Sequence, residues 1–316
     1  MPYKNDQYIK AENLLQNTDI FDHDAGYGYF RKKQYPFALR DPMKNLYAPV
    51  RDEILQYFAD NQITWWGGSG PTSHTLSSQI ACLNHLFPIR QDRDAVLAVA
   101  RSVDPDVVEV EKILSDKANP GFIQFEAISG YDHLNETDKT PFQRGSHCTS
   151  IDALMLGRLK NGRRRVILIE WKYTESYGNK NKASGNKGAE RKRRYAGLID
   201  SSRQLSAVTH DIYYYEPFYQ LMRQTLWAEQ LIRCKDRETV QADCFRHIHV
   251  IPPANGDLLK KKYPCGGKEM EETWRGCISD NRLYTIVSPA DFLSPLDSLR
   301  YKDLLCYLNL RYNSFD

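Results

Sequence analysis

Two apolar runs divided by an Asn-Gly pair constrain this chain more than any other feature. Residues 148–157 read Cys-Thr-Ser-Ile-Asp-Ala-Leu-Met-Leu-Gly, residues 158–165 Arg-Leu-Lys-Asn-Gly-Arg-Arg-Arg, and residues 166–173 Val-Ile-Leu-Ile-Glu-Trp-Lys-Tyr. Short aliphatic runs flanking Asn161-Gly162 predict a β-hairpin. Val166–Ile169 is apolar at successive positions, the pattern of a strand covered on both faces, so the second strand is central to its sheet. A charge at Glu170 closing such a run needs a reason, because an unpaired carboxylate is costly to bury. Side chains alternate along a strand, so Glu170 and Lys172 leave one face and Trp171 the other.

Register decides whether Asp152 joins them. If Asn161-Gly162 is the whole of a two-residue turn, Ala153 stands opposite Glu170 and Asp152 faces away, since a one-residue slip flips every side chain. A three-residue loop of Lys160, Asn161 and Gly162, closed by Gly162 in the left-handed conformation, instead puts Asp152 directly opposite Glu170. The first register leaves the acids as surface ion pairs. The second builds a site.

Asp152 followed by Glu170-Trp171-Lys172 on an antiparallel neighbour resembles the PD-(D/E)XK nuclease superfamily, metal-dependent phosphodiesterases with an Asp opening one strand and Glu-x-Lys on the next. Ile151 stands where the motif's name has Pro. The segments Ser77-Ser78-Gln79 and Glu216-Pro-Phe-Tyr-Gln-Leu-Met-Arg-Gln224 also resemble an uncharacterised bacterial family labelled restriction endonucleases, over most of the chain. The resemblance implies an α/β fold with a restriction-endonuclease-like three-layer core, αβββαβ, in which a central mixed sheet is flanked by helices, with helical N- and C-terminal additions. It also implies a Mg²⁺ (or Mn²⁺) dependent DNA endonuclease with a restriction or defence role. A repair or recombination nuclease of the same fold and a catalytically inactive DNA-binding protein are the alternatives.

In that reading Asp152 and Glu170 hold the cation and the Trp171 carbonyl completes its shell. Mg²⁺ takes one or two carboxylates and fills its octahedron with water and substrate phosphate. Lys172 orients or deprotonates the attacking water and steadies the pentavalent state. Superfamily members often add an acid from a preceding helix or strand, which makes Glu126 the next candidate; its plain alternative is a solvent-facing strand acid. Gln79 is read as reaching the metal through water, or as an ordinary helix-surface residue. Tyr219 and Arg223, four apart, are assigned to the helix face opposite the apolar stripe, where they position a phosphate or merely meet solvent.

Along the chain, residues 1–70 are taken as an N-terminal extension, with a helix near 50–58, before a nuclease-like domain over 71–316; one domain throughout is the other reading. A helix capped at Thr72 or Ser73 runs to Phe87 before Pro88, a second covers 92–102, and 122–129 is a strand. The stretch 178–194 holds Lys180, Lys182, Lys187, Arg191, Lys192, Arg193 and Arg194 against the single acid Glu190. It is read as a clamp on the DNA backbone, with a solvated charge run as its alternative. Helices are expected over 200–213 and 217–232, the latter striped by Phe218, Leu221, Met222 and Thr225, then a strand over 245–251. Helices between strands imply a parallel crossover. A helix near 268–277, a strand over 282–287 and a helix from about 299 to 312 end the chain.

At 316 residues and 41% hydrophobic content the chain can bury a large core. A net charge of +3 leaves any affinity for nucleic acid, double-stranded DNA being the expected partner, to the distribution of charge. The cysteines at 82, 148, 234, 244, 265, 277 and 306 form no disulfide framework, and neither a signal peptide nor a membrane-length apolar run is seen, so a cytoplasmic protein is expected. His247 and His249 share a strand face, yet lack a Cys pair at ligand spacing and read as a core or surface pair; His147-Cys148 and Cys265-Gly266-Gly267 read no more strongly. Cleavage of both DNA strands would favour a homodimer.

Overall fold

The computed structural model describes residues 2–137, 143–146, 148–206, 211–264 and 266–313. His147, Cys265 and positions 207–210 of the expected 200–213 helix lie outside them. The chain opens with α1 (Pro2–Asn17) and a small hairpin, β1 (Gly28–Phe30) and β2 (Lys33–Tyr35), followed by α2 (Arg51–Asp60), α3 (Ser78–Leu86) and α4 (Arg93–Val103). Ser77, not Thr72 or Ser73, caps α3: its hydroxyl accepts from the Ile80 N–H, which satisfies a backbone donor the first turn would leave unpaired. Ser73 instead donates to the Tyr29 carbonyl at 2.6 Å.

A six-stranded mixed sheet carries the fold. Its strands are β3 (Val107–Glu111), β4 (Ile123–Ala127), β5 (Ile151–Leu159), β6 (Arg164–Trp171), β7 (Cys244–Val250) and β8 (Tyr284–Val287). One edge of β5 is shared, β3 pairing with its C-terminal half and β4 with its N-terminal half. On the other edge β5 pairs antiparallel with β6, and β6, β7 and β8 run parallel. The sequence reading omits β3, α1 and the β1–β2 hairpin. Val107-Val-Glu-Val-Glu111 alternates over only five residues, and both other elements are mostly polar.

Between β6 and β7 run α5 (Gly185–Asp200) and α6 (Phe218–Arg233). The helix expected over 200–213 is therefore displaced: it forms earlier, from the basic stretch, where Tyr195 and Ile199 supply an apolar anchor. The C-terminal part adds α7 (Gly256–Leu259), α8 (Met270–Arg275), α9 (Pro289–Leu293) and α10 (Lys302–Tyr312).

Helices cover both faces of the sheet. Ala153, Met155, Ile167, Ile169 and Trp171 pack with residues of α2, α3, α4, α9 and α10. Leu154, Leu156, Val166 and Leu168 point the other way, onto α5, α6 and α8. Strand β6 is buried on both faces, which is why it is apolar at successive positions. By the same alternation the even positions 152, 170 and 172 belong to the α6 side. Among the described residues no helix is long and apolar enough to cross a membrane.

Candidate active site

The β5–β6 register settles the placement of the two acids. Ala153 pairs with Ile169 and Arg158 with Arg164, so Asp152, one step before Ala153, stands across from Glu170, one step past Ile169. The turn that sets this register spans Lys160–Gly162: Gly162 has φ +81, its N–H donates to the Leu159 carbonyl at 2.9 Å and the Leu159 N–H to the Arg163 carbonyl at 2.8 Å. A left-handed third residue is what such a loop requires, and glycine adopts it without a Cβ clash. Beyond the ladder, Asp152 Oδ2 accepts the Trp171 N–H at 2.8 Å, tying the carboxylate to the strand it faces.

Glu170 is 1% exposed, and a carboxylate so placed must be paired. Lys172 Nζ donates to its Oε1 and Gln224 Nε2 to its Oε2. Lys172 also donates to Gln220 Oε1 at 2.7 Å. Gln220 and Gln224 lie one helical turn apart on α6, so a single polar patch on that helix meets the Glu170–Lys172 pair. The sequence reading named the residues just before them, Tyr219 and Arg223. Tyr219 is a correction: it is buried among Tyr195 and Tyr214 rather than facing solvent. Arg223 reaches the cleft wall, where its Nε lies 2.7 Å from Glu136 Oε1; Glu136 also accepts from the Thr149 hydroxyl at 2.8 Å and from Tyr195 at 2.6 Å. Gln220 and Gln224 are spaced i, i+4, but α6 also carries Arg223, Glu229, Gln230 and Arg233, so spacing alone does not single them out.

Glu126 lies beside Asp152 on the other edge of β5. Phe125 pairs with Ala153 and Ala127 with Ile151, and between them Glu126 has φ +47. A left-handed glutamate costs about 1–2 kcal/mol, and here it breaks the strand's alternation: Phe125 packs in one core and Ala127 in the other. Arg144 holds the strained peptides, donating to the carbonyls of Phe125 and Glu126. Its guanidinium is fixed in turn by buried Asp116 at 3.0 Å and by the Tyr57 hydroxyl at 2.9 Å, and Arg90 meets the same Asp116 at 3.2 Å. Gln79 Nε2 donates to Glu126 Oε1 at 2.6 Å and its Oε1 accepts from the Trp66 N–H at 3.2 Å. Gln79 therefore contacts the acid itself.

Glu126, Asp152 and Glu170 thus form a row across three strands, with one cation, Lys172, beside them. Burial, the Glu170 charge and Glu126 push the Asp152 carboxyl well above the usual carboxylate range, against the pull of Lys172 and the Trp171 N–H. Burial pushes Glu126 up to about 7, opposed by the Gln79 hydrogen bond and reinforced by Glu170. For Lys172, burial pulls downward, yet Glu170, Tyr177 and Asp152 together hold the ammonium well above its ordinary range. The row lines a cleft of about 760 Å³.

The remaining candidates lie elsewhere. Lys187, Arg191, Lys192, Arg193 and Arg194 are on α5, and Lys180 and Lys182 precede it. Lys192 and Arg193 are exposed, whereas Arg194 pairs with Glu190 at 2.7 Å and Arg191 donates to the Lys182 carbonyl at 3.0 Å. His247 and His249 are buried on β7, and His249 Nδ1 lies 2.9 Å from the Tyr284 hydroxyl. Among the described residues no three of His, Cys, Asp and Glu are set as a cage for a metal ion.

A family model described as Restriction Endonuclease associating with ARP matches residues 10–313. The chain belongs to that family. Searches of the curated proteins and of the solved structures return no match. Membership in a restriction endonuclease family points to a nuclease acting on nucleic acid, and every carboxyl of the row falls inside the matched residues.

Proposed function

We propose that this chain is a metal-dependent endonuclease of the PD-(D/E)XK kind that hydrolyses phosphodiester bonds of DNA, with a restriction or genome-defence role. The observation that carries the reading is the pairing of Asp152 with Glu170 across β5 and β6, with Lys172 on the same face. A central mixed sheet covered by helices on both faces agrees with a restriction-endonuclease-like three-layer core. The donor set fits Mg²⁺ or Mn²⁺: hard carboxylate oxygens, with Asp152 and Glu126 raised by burial first and by the neighbouring Glu170 charge after it, and no imidazole or thiolate cage of the kind zinc takes among the described residues. Asp152, Glu170 and the Trp171 carbonyl would hold the ion. When bound, it would offset charge developing on the phosphate and lower the pKa of a ligated water.

The chain's own groups prepare that chemistry. Asp152 is oriented by the Trp171 N–H, and Glu170 by Lys172 and Gln224. Lys172 keeps its proton in the resting site, which favours orienting water and stabilising charge over acting as the base. Retention of all three motif residues argues against an inactive DNA-binding protein. A homodimer would place two such sites on two strands.

Supercoiled plasmid tests this directly. The wild type should nick it with Mg²⁺ and stop when the metal is chelated, while Asp152→Asn and Glu170→Gln, each removing a charge and almost no volume, should lose cleavage and keep the wild-type circular dichroism. Turnover undiminished in either variant would refute the assignment.

A further inference from the structure

The cleft has a second half, built from the N-terminal residues, that the carboxylate chemistry does not use. Phe30 and Trp66 stack there with ring centres 5.9 Å apart and planes 20° from parallel. Arg31 sits with its guanidinium carbon 5.2 Å from each ring centre, and Lys4 and His74 complete the wall. Trp66 remains 57% exposed. Burial, then Lys4 and Arg31, push His74 down to about 4, so it adds no charge near neutrality.

This wall is held in place at some cost. The β1–β2 turn is made by Arg31 and Lys32, both at positive φ (+48 and +66), a conformation such hairpin turns normally give to Asn or Gly. A strained tip is retained where the surroundings determine it. Gly28 is required for the docking of the hairpin, since a Cβ there would meet the Leu39 carbonyl oxygen at 1.7 Å. Gln79 then links the wall to the acids, one end of its amide on the Trp66 N–H and the other on Glu126.

A face of aromatic rings beside two cations, one side chain from a row of phosphate-directed acids, matches a nucleotide whose base has left its stack. Bases inside a duplex present only their edges, whereas an unpaired base offers its face to an indole. We propose that Trp66, backed by Phe30, stacks an unpaired base of a DNA strand next to the phosphate at Asp152 and Glu170, with Arg31 and Lys4 on the neighbouring backbone. The substrate is then single-stranded, or unpaired, at the cleavage point. This rests on the nuclease reading above.

Binding measured without divalent cation separates the two ideas. Fluorescence anisotropy of the full chain would use labelled dT12, the same oligonucleotide with abasic residues at its centre, and a duplex of equal length. The wild type should bind dT12 roughly 5- to 150-fold more tightly than the abasic strand, the range that stacking of one base on an aromatic ring carries, and more tightly than the duplex. Trp66→Ala should bind both single strands alike with an unchanged melting curve, and Trp66→Phe should restore most of the difference. Equal binding of the intact and abasic strands by the wild type, a Trp66→Ala protein that keeps the wild-type preference, or tighter binding of the duplex would overturn the inference. In each of those cases metal-dependent nicking that depends on Asp152 would leave the nuclease reading standing. Failure to bind any probe, together with failure to nick plasmid, would remove both.

Discussion

Glu126 shows how one residue can carry strain, charge and position together. Its left-handed backbone is held by Arg144, its carboxylate by Gln79, and it sits beside the two acids that face each other across β5 and β6. Burial, despite the Gln79 bond and with help from Glu170, raises its pKa from the ordinary glutamate value of 4.5 to about 7. Between those pH values the native chain holds a proton that the unfolded chain has released, so stability falls as pH rises from about 4.5 to about 7 and stays reduced above that. Glu126→Gln keeps the hydrogen-bond acceptor and removes the penalty. Because the side chain keeps an edge in the cleft's solvent, the variant should be more stable by on the order of 1–2 kcal/mol at pH 8 and equal to the wild type near pH 4. Thermal melts in the absence of divalent cations check this; a gain that does not change with pH would count against it. In the sequence Glu126 could be suspected only as an acid after an apolar run, because a positive φ at a non-glycine residue has no local signature.

At the level of elements, the hairpin and the basic helix contrast. Asn161-Gly162 announces the hairpin but suits both a two-residue and a three-residue turn, so the sequence narrowed the Asp152–Glu170 question to two registers, and the Lys160–Gly162 loop with Gly162 at φ +81 is the one that pairs them. For α5 the charges were visible but their use was not. Arg191 is spent on the Lys182 carbonyl and the face of Tyr219, and Arg194 on Glu190. Lys192 and Arg193 project outward. If α5 lies along a DNA backbone, replacing Lys192 and Arg193 by Ala should flatten the dependence of log affinity on log salt by roughly 1.4 to 1.8 units, at about 0.7 to 0.9 per phosphate. Replacing Arg191 and Arg194 should change it less and lower the melting temperature more. A salt series in which the Lys192 and Arg193 double variant keeps the wild-type slope would show that the helix is a solvated face.

Over the whole molecule, residues 1–70 are woven into the rest of the chain. Phe37, Ile54, Tyr57, Phe58, Ile63 and Trp65 share a core with Ile80, Phe125 and Trp171. The Arg311 guanidinium donates to the Asn45 carbonyl at 2.7 Å, joining α10 to the N-terminal part, and Tyr57 donates to Asp116 at 3.0 Å. A chain reduced to 71–316 would expose that apolar surface and leave Asp116 and its two arginines without Tyr57. It should aggregate or melt without a cooperative transition, whereas the full chain should melt sharply. A truncated chain with a sharp melt and full plasmid nicking would establish residues 1–70 as a separable extension.

The hydrophobic pattern by itself determined the central strand, the hairpin beside it, the stripe on α6 and the parallel crossover, because alternation, turn chemistry and helical spacing are local and survive without the rest of the fold. Tertiary structure alone decided what converges on those strands. Gln224, which joins Lys172 on Glu170, comes from a helix some fifty positions later, the clamp on Glu126 from Arg144 and Asp116, and the aromatic wall from residues near the N-terminus. None of these contacts leaves a mark in the intervening sequence, since long-range pairing depends on which surfaces the packed helices bring together and not on the spacing of residues along the chain.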